Sequence, residues 1–154
     1  MAAVLIGAET LHLEYPTRVV LDSVTLGIQE GDRIGIVGRN GDGKSSLLAL
    51  LTGQLEPQEG RVLRRGGVRV GVLAQGDDLD PDLSVGATIV GDRAEHEWAG
   101  DPAIRDVIAG LVADVAWEAR VGSLSGGQRR RVALAALLIE DWEVIALDEP
   151  TNHL

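Results

Sequence analysis

The sequence predicts an α/β domain in which a glycine-rich phosphate loop joins a buried strand to a helix. Three observations predict it. The first is Gly38–Ser46, reading G-R-N-G-D-G-K-S-S, with Arg33-Ile34-Gly35-Ile36-Val37 before it and Leu47-Leu48-Ala49-Leu50-Leu51 after it. The second is a set of short, partly alternating stretches ahead of that loop, which read as an antiparallel sheet. The third is an acidic segment with short helical patterns over 77–122, followed by an apolar run that closes on two carboxylates.

Composition narrows the class. A chain of 154 residues with 45% hydrophobic content is globular and long enough for one domain with a real core. With no Phe, the core falls to Val, Leu, Ile and Ala, and with no Cys there is no disulfide, Cys-bound zinc or thiol chemistry. No apolar run approaches the ~18 residues of a spanning helix. Met1–Gly7 lacks a basic lead-in and the length of a signal peptide, so a cytoplasmic location is expected. A net charge of −10 argues against direct nucleic-acid binding, Arg129-Arg130-Arg131 being the one local exception.

Taken in order, residues 4–14 read as one or two strands and Tyr15-Pro16-Thr17 as a turn. Arg18–Leu21 and Val24–Gln29 read as two strands broken by Asp22-Ser23. Glu30-Gly31-Asp32 turns into a buried strand at Arg33–Val37. A helix over Gly43–Leu51 ends at a Gly53 C-cap. Arg61–Arg65 and Val68–Leu73 read as strands. Ser84 caps a helix to about Val90. Asp101-Pro102 opens an amphipathic helix over 103–116, with Ile104, Val107, Ile108, Leu111, Val112 and Val115 on one face. Ser125 caps a long helix from about Gly126 to Ile139, and Glu143–Glu149 reads as a buried strand. The expected organisation is 1–75 as sheet plus phosphate-loop core, 76–123 as a helical subdomain, and 124–154 as a helix and a closing strand.

The loop has the form G-x-x-x-x-G-K-S, with Gly38, Gly43, Lys44 and Ser45 in the fixed places. Glycines let the backbone turn several N–H groups toward a phosphate chain, and the following helix presents its N-terminus there. Lys44 reaches the β- and γ-phosphates and the Ser45 hydroxyl can ligate Mg²⁺. Asp148, at the end of an apolar strand, would hold the same Mg²⁺ directly or through water. Glu149, one residue on, could polarise a water at the γ-phosphate. Without the loop, both would read as polar residues closing a strand. Ser125-Gly126-Gly127 opens a helix with an N–H-rich entry, either a second anion site or a linker.

Together these features resemble an ATP-binding cassette (ABC) ATPase domain. The resemblance rests on Tyr15, the G-R-N-G-D-G-K-S-S loop, Gln75 after V-G-V-L-A, L-S-G-G-Q at Leu124–Gln128, and V-I-A-L-D-E-P. It implies a P-loop NTPase (RecA-like) core with an N-terminal antiparallel β subdomain and an inserted α-helical subdomain. It implies an ATP site lined by Gly38, Arg39, Asn40, Gly41, Asp42, Gly43, Lys44, Ser45 and Ser46, with Tyr15 stacked on adenine. It further implies Mg²⁺ near Ser45, Gln75 and Asp148, and catalysis by Glu149, Gln75 and Lys44. Leu124, Ser125, Gly126, Gly127 and Gln128 would meet the nucleotide held by a second cassette.

The P-T-N-H-L that follows the carboxylates, and the opening E-G-D-R-I-G-I-V-G-R-N-G, resemble the soluble ABC-F cassettes that act on the ribosome. Gln75 and Leu124 are 49 positions apart, which leaves no room for a long inserted arm, so a short-arm or armless cassette is expected. Asp42 stands where the family usually has Ala or Ser and must point outward or pair, Arg39 being one partner; Ser46 replaces the usual Thr. The family's D-loop Asp and switch His fall beyond Leu154, so the chain is expected to be the N-terminal, C-terminally truncated piece of a cassette protein. Alone it is expected to bind ATP weakly and hydrolyse it poorly. The competing readings are the ATPase subunit of a transporter, which needs an apolar groove around Gln75–Asp101, and a nucleotide-binding fragment without turnover.

Overall fold

The computed structural model describes residues 3–74 and 78–149. They divide into two units, one running to Val72 and taking in Trp142–Asp148, the other from Leu73 to Asp141 with Glu149.

In the first unit, strand β1 (Val4–Tyr15) pairs antiparallel with β2 (Arg18–Gln29) on one side and β3 (Glu59–Arg64) on the other. The pairing of the long strands is irregular at several places. In β1, Leu5, Ile6 and Ala8 are buried before Thr10 and Leu11 and Leu13 after it, so the inward face changes phase. The register slips between Ala8 and Leu11, and Thr10 has φ +47°. An extra residue of this kind is a bulge, which re-aims the side chains after it. Ser23, at φ +54°, sits in β2. Asp22-Ser23 is therefore an irregularity inside one strand and not the break between two that the sequence suggested.

Helix α1 (Lys44–Thr52) buries Leu47, Leu50 and Leu51 in the same cluster as Leu5, Ile6, Ala8, Leu11, Leu13 and Leu21. Gly53 ends it at φ +77°, donating its N–H to the carbonyls of Ala49 and Leu50. Strands β4 (Val70–Leu73) and β5 (Val144–Leu147) form a separate two-stranded sheet. The expected strand at Arg33–Val37 is absent: the segment is irregular, with Ile34 57% and Val37 98% exposed. An apolar run becomes a strand only when its N–H and C=O groups find a ladder. Among the described residues, β4 and β5 pair only with each other. The same shortage of neighbours leaves β5 half-exposed, Ala146 alone being buried, against the fully buried strand expected.

The second unit is helical. It contains α2 (Val85–Val90), α3 (Glu95–Trp98), α4 (Pro102–Val112), a 3₁₀ turn (Val121–Ser123) and α5 (Gly126–Leu138). Val85, Ile89, Val90, Val112, Val115, Val132 and Ala135 form its core, with Trp98 and Trp117 stacked beside it at 5.1 Å between ring centroids. The caps are those expected. Ser84 accepts from the Ala87 N–H and Asp101 from the Ala103 N–H, with Pro102 in the first turn. Helix α4 ends at Val112, short of 116, yet Val115 still reaches the core.

Candidate functional site

The phosphate loop is built from glycine geometry. Gly41 (φ +87°) and Gly43 (φ +93°) take left-handed conformations that side-chain-bearing residues seldom adopt. At Gly43 a Cβ would also collide with Val20 Cγ1. Asp42 N–H donates to the Arg39 carbonyl at 3.1 Å, closing a tight turn over Arg39–Asp42. Gly43 is the N-cap of α1 and supplies no side-chain cap. The first N–H groups of a helix have no intrahelical acceptor. Here they open toward the loop, together with the positive end of the helix dipole. Lys44 Nζ donates to the carbonyls of Gly38 (2.7 Å) and Arg39 (2.9 Å), which hold the ammonium over the loop. Ser45 is exposed at the start of α1 and Ser46 is half-buried. The left-handed glycines, the uncapped helix start and the Lys44 ammonium are the donors that an anionic group takes. Ser45 and Asp148 are oxygen donors of the kind Mg²⁺ takes, and both fall in the first unit. Among the described residues no cluster of three acidic, His or Cys side chains forms a metal site.

Asp42 does not pair with the Arg39 guanidinium, the partner considered from the sequence. Its Oδ2 accepts the Arg39 backbone N–H at 2.6 Å and its Oδ1 accepts from Arg18 Nη2 at 3.2 Å. The Arg39 N–H, with help from Arg18 and Lys44, holds this carboxyl below its usual range. Arg18 pairs across the hairpin with Tyr15, which is 48% exposed at the end of β1. The Tyr15 ring therefore belongs to the hairpin end that touches the loop.

The second group of candidates opens α5. Ser125 Oγ accepts the Gln128 N–H (3.2 Å) and Gln128 Oε1 accepts the Ser125 N–H (3.0 Å), a reciprocal capping box. The S-x-x-Q spacing was the available signal for it. Ser125 and Gly126 are exposed, and Leu124, Gly127 and Gln128 are half-buried. The three arginines that follow do not make a basic patch. Arg131 is tied to both carboxylate oxygens of Asp114 (2.6 and 2.9 Å) and to the Leu111 carbonyl. Arg130 is only 4% exposed, and Arg129 faces solvent.

Arg130 is the buried residue beside the candidate site that motif reading missed. Its guanidinium donates to the Ala74 carbonyl, at the residue before Gln75, and to the Glu149 carbonyl at 3.4 Å. Glu149 is half-buried with φ +47°. A buried cation bonded to two carbonyls fixes backbone at both places at once. Arg130 and Leu134, four residues apart on one face of α5, are both buried, and that spacing was the only sequence clue. Gln75 itself, and Pro150–Leu154, lie outside the described residues. Asp148 follows β5 and is half-buried. Tyr15, the phosphate loop and Asp148 thus belong to the first unit, and Leu124–Gln128 and Glu149 to the second.

The sheet, the glycine-rich loop and the helix it feeds define a P-loop NTPase fold of the ABC ATPase type. The family profile described as ABC transporter matches residues 21–152, and the chain belongs to that family. Its domains bind ATP with Mg²⁺ and pair with a second cassette. The chain is 31% identical to the uncharacterized ABC transporter ATP-binding protein YfmR of Bacillus subtilis, covering 97% of this chain and 30% of that protein. It is 33% identical to the Nod factor export ATP-binding protein I of Burkholderia pseudomallei, covering 100% and 55%. It is 32% identical to the energy-dependent translational throttle protein EttA of Mycobacterium tuberculosis, covering 100% and 34%. The chain therefore spans about a third to a half of these relatives. A solved ATP-binding subunit of an ABC transporter superposes with a TM-score of 0.81 at 18% identity, over 97% of this chain and 68% of that one, a likeness of fold. No helix among the described residues is long and apolar enough to cross a membrane.

Proposed function

We propose that the chain is an ATP-binding cassette of the ABC-F kind, which binds Mg-ATP and, paired with a second cassette, hydrolyses it in a cytoplasmic, ribosome-associated protein. The observation that carries the nucleotide reading is the cradle itself: two left-handed glycines, an uncapped helix start, and Lys44 Nζ held over the loop by two carbonyls. Gly38–Ser46 wrap the phosphates, Lys44 neutralises charge on them, and Tyr15 stacks on the base. Mg²⁺, when bound through Ser45, Asp148 and Gln75, supplies charge stabilisation for phosphoryl transfer. Glu149 orients and polarises the attacking water. Leu124–Gln128 meet the nucleotide of the opposite cassette, through the Gly126 and Gly127 N–H groups that the capping box does not use.

The ribosomal assignment draws on the P-T-N-H-L ending and on a relative named for throttling translation. The alignment with that relative runs over 191 positions and the one with YfmR over 195, both longer than this chain of 154 residues. Those relatives carry residues that this chain lacks, in keeping with a short-arm or armless cassette. A second reading, the energy-coupling subunit of a transporter, is favoured by the relative named for Nod factor export. Its alignment needs only 168 positions. As an organisation we propose 1–75 as sheet and loop core, 76–123 as a helical insert, and 124–154 as signature helix and closing strand.

The deciding measurement is calorimetric titration of the chain with Mg-ATP. Lys44→Ala is expected to raise the Kd at least about tenfold, the equivalent of one charge-assisted bond. Unchanged affinity would remove the phosphate-loop reading. The choice between readings is made by sedimentation with ribosomes of a Glu149→Gln protein that contains both cassettes. ATP-dependent association is expected, and its absence favours the transporter.

A further inference from the structure

We propose that Arg18 is a phosphate-binding residue of the nucleotide site, held over the loop by Asp42. The inference rests on the phosphate-loop reading above and adds to it a group that lies outside the loop motif. Strand β2 sends two neighbouring same-face residues to the loop. Val20 fills the space that a side chain at Gly43 would need, and Arg18 Nη1 lies 3.6 Å from where a Cβ on Gly41 would stand. The guanidinium thus sits over the Gly41–Gly43 curve, where the backbone is shaped to meet an anion.

Asp42 explains why it stays there. A carboxylate inside a phosphate loop repels the ligand unless it is neutralised. Here one oxygen closes the Arg39–Asp42 turn and the other takes a single N–H of Arg18. Arginine carries five N–H donors in a rigid fork, so engaging one leaves others for a phosphate oxygen. Arg18 is 54% exposed on its side chain, which keeps those donors accessible. Across the hairpin from it is Tyr15, so the base-stacking candidate and the proposed phosphate donor are register partners. Asp42 thereby acts as a tether, cancelling its own charge while fixing the position of a second cation besides Lys44.

The test is a double-mutant cycle on nucleotide affinity, with Mg-ATP and Mg-ADP as probes. Arg18→Ala is expected to weaken ATP about tenfold, because it removes a donor and unmasks the Asp42 charge. Asp42→Asn alone is expected to change affinity less than about threefold, an order-of-magnitude bound on losing one tether. In the Asp42→Asn background, Arg18→Ala is expected to cost clearly less than alone, and Arg18→Lys to retain part of the affinity. Arg61→Ala, which breaks an exposed ion pair with Glu9 in the same sheet, is expected to leave affinity unchanged. An Arg18→Ala protein with wild-type affinity, or one whose loss is the same with and without Asp42, overturns the inference. Lys44→Ala keeps the two ideas apart. If Lys44→Ala weakens binding and Arg18→Ala does not, only the Arg18 role falls. If Lys44→Ala has no effect, the phosphate-loop reading falls and the Arg18 role with it. Matching unfolding temperatures across the variants exclude a loss through misfolding.

Discussion

At the scale of single residues, the informative side chains are two arginines with opposite surroundings. Arg18 is exposed and meets one carboxylate, whereas Arg130 is buried and meets backbone carbonyls. Removing a buried donor leaves its acceptors without water or protein, at about 1–3 kcal/mol for each orphaned group. Arg130→Ala is therefore expected to lower the urea midpoint of unfolding by the equivalent of about 2–4 kcal/mol. Arg129→Ala, at the exposed neighbour, is expected to shift it by less than about 0.5 kcal/mol. Equal effects at the two positions would contradict the buried role. Carboxyls give a second prediction. Asp42, Asp114 and Glu143 all have pKa values held below the ordinary 3.8 and 4.5, through the Arg39 N–H, Arg131 and the Arg69 N–H respectively. A depressed folded pKa means that the unfolded chain binds protons first as pH falls. Their stabilisation is present above the ordinary carboxyl range and lost as pH drops through the lower folded values. Thermal melts are expected to be flat from neutral pH to about pH 5 and to fall below it, less steeply in Asp114→Asn.

At the scale of elements, Thr10 is the weak point of β1. A β-branched residue at φ +47° is strained, and Asn tolerates that conformation better. Thr10→Asn is expected to raise the unfolding temperature by a few degrees, about 0.5–1 kcal/mol, with the Thr10 N–H to Thr25 Oγ1 bond intact. A lower melting temperature would mean that the threonine side chain contributes more than its strain costs. The same scale shows what the sequence made legible. Local chemistry sufficed for Ser84, Asp101 and Ser125 as caps, Gly53 as a helix end, and the glycine loop, because each of these depends on neighbours within four residues. It failed at Arg33–Val37, where apolar character promised a strand but the pairing partner had to come from elsewhere in the chain. It failed at Asp22-Ser23 because a bulge keeps a ladder running past residues that look like a break. Arg130 lay within a run that reads as surface charge, and only the packing of α5 separates its three members.

At the scale of the molecule, the core bears out the composition. Both clusters are built from Leu, Ile, Val and Ala, with two stacked tryptophans beside the second. The candidate residues divide between the two units. The charge of −10 is spread over a surface whose basic residues are largely engaged, Arg131 by Asp114, Arg93 by Glu140 and Arg61 by Glu9.

Among the described residues no strand pairs with the Arg33–Val37 run, and this has a consequence for how the protein behaves in a tube. Its backbone groups and the bare side chains of Ile34 and Val37 are a template for strand addition from a second molecule. What opposes that encounter is mutual repulsion between like-charged copies, which reaches only about 10 Å at 0.1 M salt. Dilute buffer keeps such copies apart, and concentrated salt brings their sticky edges within reach. The chain is thus expected to associate more as salt rises, which light scattering across an ionic-strength series checks.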